Sequence, residues 1–206
     1  MFPTYPWMGS NPIGNVGGEV VPDRFDHEPV RGYRSWHVVP TSGGVRLRSL
    51  HMPHEWSNPE TAKCYPQGVT QIDHNRTDAP HPDCSCGLYI QHPDHTFTEW
   101  EPMRVGKVSV FGTVELWGRV IICERGYKAQ HARIVSGYFE VSCAKGGCLN
   151  PVVGVQPRPV GPVLCWCTAH EPTESDHAVL DSDTWLMEAA RQLRDHYQTK
   201  FFYWGE

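Results

Sequence analysis

The 206-residue chain has no apolar run approaching the roughly 20 residues that a membrane-spanning helix needs. Its first nine residues, MFPTYPWMG, lack the basic stretch and following apolar segment of a secretory leader. Both absences lead to the expectation of a protein that stays in the cytoplasm, or in the host cytoplasm if phage-encoded, with no membrane partner. Apolar residues make up only 39% of the chain, against 19 glycines and 18 prolines, which predicts a modest core, many turns and short strands rather than long helices. Basic charge is scarce as well: 18 Lys and Arg stand against 23 Asp and Glu, a net charge of -5, which disfavours sequence-independent coating of nucleic acid.

The familiar catalytic signatures are also missing. There is no Gly-rich nucleotide loop, no G-x-S-x-G elbow, neither half of the zinc-deaminase pattern and no internal repeat. His51-Met52-Pro53-His54-Glu55 has the residue types of a zinc-protease helix, but in the wrong order and with a helix-opposing Pro53. No catalytic residue is assigned, and a metal-dependent enzyme ranks third among the functional readings.

What the chain does have is eight cysteines. In a reducing compartment thiolates serve more readily as soft metal ligands than as disulfide partners, so zinc is the expected cofactor and disulfides the competing reading. Cys143-x4-Cys148 and Cys165-x-Cys167, sixteen residues apart, form one expected site, with Gly146 and Gly147 giving the backbone room to fold around an ion and His170 as a substitute ligand. Cys64, Cys84, Cys86 and Cys123 form a second expected site, with His74, His81 and His92 in reserve. It would tie the irregular, His-, Pro- and Asp-rich stretch 51–83 to a sheet. By spacing alone Cys123 also suits a buried packing role.

Regular structure is legible in several places. Residues 1–30, with Phe2, Tyr5 and Trp7, read as a flexible arm, and 31–206 as a single globular domain. Tyr33–Val39 and Val45–Leu50, separated by Ser42-Gly43-Gly44, read as a hairpin. Lys107–Cys123 alternates with period two, its even positions Val108, Val110, Val114, Leu116, Val120 and Ile122 marking the buried face. Gly112 and Gly118 are natural bulge points. Tyr127–Tyr138 continues the sheet, 141–170 is a cysteine-bearing lobe, and 182–198 is a helix capped by Asp181 or Ser182.

Three motifs carry a resemblance. Cys84-Ser85-Cys86-Gly87-Leu88-Tyr89, Leu116-Trp117-Gly118-Arg119-Val120 and Glu124-Arg125-Gly126-Tyr127-Lys128-Ala129 resemble, in order, the C-x-C-G-[IL]-Y, LWG-x-V and ERG-[YW]-[RK]-A motifs of a family of uncharacterised proteins from actinobacteria and their phages. Gly32–Trp36 and Cys64 fit the same layout, so the resemblance covers about residues 31–135. Some members have His where this chain has Cys123, which implies a ligand role there. A fainter similarity is to PUA-like domains, including the ASCH group, many of which read RNA or modified bases. It implies a cleft lined by Arg46, Arg48, Arg119, Arg125, Lys128 and Arg133, with Trp117 or Tyr127 to stack on a base.

The expected fold is a β-rich α+β arrangement: a twisted sheet or small β-barrel, PUA-like in one version, with a C-terminal helix and metal-tied irregular lobes. The expected function is a non-enzymatic, zinc-stabilised binding module in a phage or actinobacterial regulatory or host-interaction role, with a protein or a specific nucleic acid as partner. A nucleic-acid or nucleobase reader is the alternative.

Overall fold

The period-two pattern of the long central segment builds the spine of the protein. In this computed structural model, residues 29–50, 54–64, 79–92, 106–145, 147–170 and 179–203 are described. The expectations for the arm at 1–30, for Met52 and its two neighbours, and for His74 and Gly146 lie outside them. In chain order the elements are β1 (Val30–Thr41), β2 (Gly44–Ser49), β3 (Glu60–Thr61), β4 (Leu88–Gln91), β5 (Ser109–Cys123), β6 (Gly126–Glu140), β7 (Gly154–Gln156), β8 (Leu164–Trp166), β9 (Leu180–Asp181), α1 (Ser182–Tyr197) and β10 (Lys200–Phe202).

Seven strands hydrogen-bond in the order β10-β6-β4-β1-β2, with β3 added to β6 and β5 paired to both β1 and β6. The pairing of β10 with β6 is parallel, whereas β1–β2, β4–β6 and β3–β6 are antiparallel. This is a mixed, twisted, open sheet whose path ends at β10 and β2, so the small β-barrel is not what the chain forms. β4 meets β1 at one register pair only, Tyr33 opposite Gln91, too little to make a closed barrel wall. A separate three-stranded sheet has the order β8-β7-β9. Among the described residues no helix is long and apolar enough to cross a membrane.

The chain divides into two compact units. The first takes its described residues from within Met1–Tyr33, Pro59–His95 and Val114–Arg133, the second from within Arg34–Asn58, Thr96–Thr113 and Ile134–Glu206. In the first unit, β6 presents one edge to β4 at Gly126–Ala129 and to β3 at His131 and Ala132. Val114, Leu116, Val120, Ile121 and Ala129 fill its core. Glu115 is buried on the same strand and accepts from Arg31 Nε at 2.8 Å and Arg133 Nε at 2.6 Å.

The expected even-numbered buried face of β5 holds through Leu116 and then changes. Gly118 adopts φ +75°, a left-handed conformation that costs glycine little, and beyond it strict alternation ends, with Val120 and Ile121 both buried. Beyond it Ile121 and Cys123 are buried, while Ile122 is 37% exposed. Gly112 has a different reason to be glycine: a Cβ there would lie 2.4 Å from the Ser136 carbonyl oxygen.

In the second unit, β1 and β2 form the expected hairpin from Trp36↔Ser49 to Thr41↔Gly44, and Pro40 lies inside the strand rather than ending it. Asp181 caps α1 by accepting from the Thr184 amide at 2.8 Å. Leu186, Ala189, Ala190, Leu193 and Tyr197 form its buried stripe. Tyr197 Oη donates to the Trp56 carbonyl at 3.0 Å and accepts from the Leu47 amide at 2.9 Å. Gln198 leaves the helix in the left-handed conformation, and β10 follows at once, a strand too short to announce itself by pattern.

Two measurements follow. Leu116→Ala should lower unfolding stability by about 2–5 kcal/mol, while Ile122→Ala should cost less than about 1 kcal/mol. Comparable losses in denaturant titrations would mean that Ile122 is as buried as Leu116. For Glu115, burial opposes ionisation, but hydrogen bonds and charge from Arg31 and Arg133 win and hold its pKa below the ordinary carboxylate value. Its ionised form therefore stabilises the fold above the unfolded carboxylate pKa, and that contribution disappears as pH falls through the lower folded value. Glu115→Gln should flatten the acid limb of stability against pH, and an unchanged limb would contradict the assignment.

Candidate metal centres

Each unit gathers its own cysteine cluster. In the first, β6 acts as the ruler. The pairing of β3 with His131 and Ala132, continued by Ala62 N donating to Gln130 O at 2.7 Å, delivers Cys64. The pairing of β4 with Gly126–Ala129 delivers Cys84 and Cys86, which immediately precede that strand. A turn closed by Cys84 N donating to His81 O at 3.2 Å shapes the loop. The sulfurs of Cys64, Cys84 and Cys86 all lie within 4.8 Å of one another, and all three residues are buried. Gly87, which completes C-x-C-G, has φ +129°, and a Cβ on it would meet Pro80 at 3.0 Å and the Lys128 stem at 3.2 Å.

Lys128 is itself 1% exposed. Its Nζ donates to the carbonyls of His81 at 2.8 Å, Pro82 at 3.1 Å and Cys84 at 2.8 Å. Burial lowers its pKa against the opposing pull of the nearby Cys123, Cys86 and Cys84 sulfurs. Burial pushes Cys86 up to about 12, despite the His81 amide that donates to its sulfur.

In the second unit the converging groups are Cys143, Cys148, Cys167 and His170, again within 4.8 Å of one another. A tetrahedral zinc site with Zn–S near 2.3 Å and Zn–N near 2.0–2.1 Å has S···S edges of about 3.8 Å and S···N edges of about 3.5 Å. Cys148 and Cys167 sulfurs are 3.7 Å apart, and Cys64 and Cys84 repeat that distance in the other cluster. His170 Nδ1 lies 3.6 Å from the Cys143 sulfur and 3.2 Å from that of Cys167. Ala144 N donating to Cys165 O at 2.8 Å holds the first pair against β8, and His170 N donating to Cys167 O at 3.0 Å closes the second turn. Burial raises the Cys167 pKa, but the Ala169 amide and hydrogen bonds involving Cys143, Cys148 and Asn150 outweigh it and bring the pKa down to about 6. Cys148 gains from the Asn150 amide, yet burial and its two cysteine neighbours push it up.

Two expected ligands stand apart. Cys165 lies within β8, fully buried opposite Val155, with its pKa pushed up to about 12 by burial. The second ligand pair is therefore Cys167-x2-His170 rather than Cys165-x-Cys167, a spacing visible in the sequence but read only as a fallback. Cys123 is buried with Ile121 against Tyr89 and is not in the three-sulfur group. Of the reserve histidines, His92 Nε2 lies 3.0 Å from the Cys123 carbonyl oxygen and packs edge-on to Tyr127, while His81 Nδ1 accepts from the Asp83 amide.

The residues expected to meet nucleic acid have varied surroundings. Arg119 is exposed, Arg125 and Tyr127 are half-buried, and Trp117 stacks on His131 at 5.6 Å. Lys128 is bonded to the loop that carries Cys84 and Cys86 and Arg133 to Glu115, while Arg46 and Arg48 belong to the second unit. Compared with known proteins, the chain matches no family model, no curated protein and no solved structure. The expected relations to actinobacterial and phage proteins and to PUA-like domains gain no support from those comparisons.

The geometry separates two cysteines two residues apart. Cys167→Ala should remove one bound metal per chain, whereas Cys165→Ala should leave the metal count unchanged and cost only packing stability. Loss of metal from the Cys165 variant with the Cys167 variant unaffected would reverse the ligand assignment.

Proposed function

We propose that the protein is a non-enzymatic binding module, acting on a protein partner, whose irregular segments are held by zinc at both cysteine clusters. One observation carries the reading: Cys143, Cys148, Cys167 and His170 already converge at tetrahedral spacing. Three sulfurs and an imidazole suit zinc among the common divalent ions. Four protein ligands also fill the tetrahedron and leave no position at which a metal-bound water could act as nucleophile, the arrangement of a structural site. The Cys64, Cys84 and Cys86 sulfurs supply a second thiolate-rich site, where three protein ligands leave the fourth position to another donor. A protein is the partner this reading implies, because the basic side chains that would serve nucleic acid are engaged within the fold at Lys128 and Arg133, and the net charge of -5 disfavours a polyanion.

Elemental analysis of protein purified without chelator should find two zinc ions per chain. X-ray absorption should show a first shell dominated by sulfur with a minor nitrogen component. Metal-free native protein with all eight thiols open to titration would refute the proposal. A zinc ion carrying exchangeable water at the four-residue cluster would return it to the enzyme class.

A further inference from the structure

A buried lysine is costly unless its charge and its three N–H groups are matched. Lys128 has both kinds of match on one side. Its three ammonium protons have three carbonyl acceptors, on His81, Pro82 and Cys84, all within the loop that carries Cys84 and Cys86. Gly87, at φ +129°, brings the backbone of that loop onto the lysine stem, where a Cβ would lie 3.2 Å from the Lys128 side chain. Lys128 lies on β6 opposite Tyr89, on the strand that positions both β3 and β4 and hence all three cysteines. It is therefore rigidly placed rather than drawn in from the surface. Three thiolates around a divalent ion leave a net charge of -1, and one ammonium cancels it.

We propose that Lys128 is the positioning residue and counter-cation of the Cys64, Cys84 and Cys86 metal site, fixing the loop through its carbonyls and balancing the thiolate charge. This rests on the metal reading above and adds to it a residue that touches no metal. Residues beside a metal's direct ligands commonly change affinity about 10- to 100-fold when replaced. The present case differs from a simple loop clasp in its electrostatics, because a nearby cation lowers the energy of the thiolate electrons.

The test uses the full chain with Lys128→Met and Lys128→Arg. Zinc is titrated against a chromophoric chelator, and cobalt(II) is then substituted to record its sulfur-to-metal charge-transfer bands. Wild type should hold two ions. Lys128→Met should hold the ion of the Cys143, Cys148, Cys167 and His170 cluster unchanged, and lose affinity for the other about 10- to 100-fold. The charge-transfer band of that weakened site should move to lower energy. Lys128→Arg, which keeps the charge, should hold the band at the wild-type position. Should Lys128→Met fail to fold, the arginine variant decides alone: two bound ions with the band in place support the assignment, and loss of the ion overturns it. Affinity within about twofold of wild type in Lys128→Met, or lower affinity with an unmoved band, would also overturn the counter-cation role while leaving the metal reading intact. A wild-type protein that takes up no ion at the three cysteines would remove the metal reading and this role together.

Discussion

Two antiparallel pairings on one edge of β6 are the constraint on which the first metal cluster depends. β3 and β4 come from stretches of chain separated by more than twenty residues, yet both find register on that edge, at His131 and Ala132 and at Gly126–Ala129. Backbone hydrogen bonds thus bring Cys64, Cys84 and Cys86 to one side of β6. The same strand supplies Lys128. The second cluster is built on the same principle with different parts. Hydrogen bonds linking Gly106, Ala144 and Cys165 align the chain after β6 with β8, and short turns then aim Cys148 and His170 at Cys143 and Cys167.

The two clusters differ in their means of managing charge. In the three-cysteine group, burial drives Cys86 toward the neutral thiol, and the Lys128 ammonium is a compensating cation. In the four-residue group a single sulfur, Cys167, collects enough hydrogen bonds to bring its pKa to about 6, while Cys148 is pushed the other way. Metal binding at either place must displace thiol protons. The four-residue cluster enters that exchange with one sulfur already close to ionised at neutral pH.

Much of the regular structure was legible because it follows from periodicity. The β1–β2 hairpin, the long β5 strand and α1 with its Asp181 cap all emerge from apolar spacing and turn residues. The burial of both faces of β5 beyond Gly118 was not, since period two predicts only one buried face. Val120 and Ile121 are both buried there, and Cys123 packs with Ile121 and Tyr89 while Ile122 is exposed. Both clusters were anticipated from cysteine spacing, but the membership was not. Cys165 and Cys167 have the same residue type and strand parity, and only the end of β8 at Trp166 separates a packing thiol from one in the cluster. The role of Lys128 was hidden for a similar reason: a lysine beside a turn reads as a solvated charge until tertiary structure surrounds it. The closed barrel failed because, among the described residues, one residue pair, Tyr33 with Gln91, joins β4 to β1.

The central claim is that metal ligation, added to strand pairing, holds the irregular segments in place. Amide hydrogen exchange on the native protein, before and after removal of metal by a chelator, tests it most directly. The account predicts that the amides of His81, Cys84, Ala144, Cys148 and His170 lose protection when metal is removed, while those in the centres of β5 and β6 keep theirs. Protection at those five amides that is the same with and without metal would contradict it.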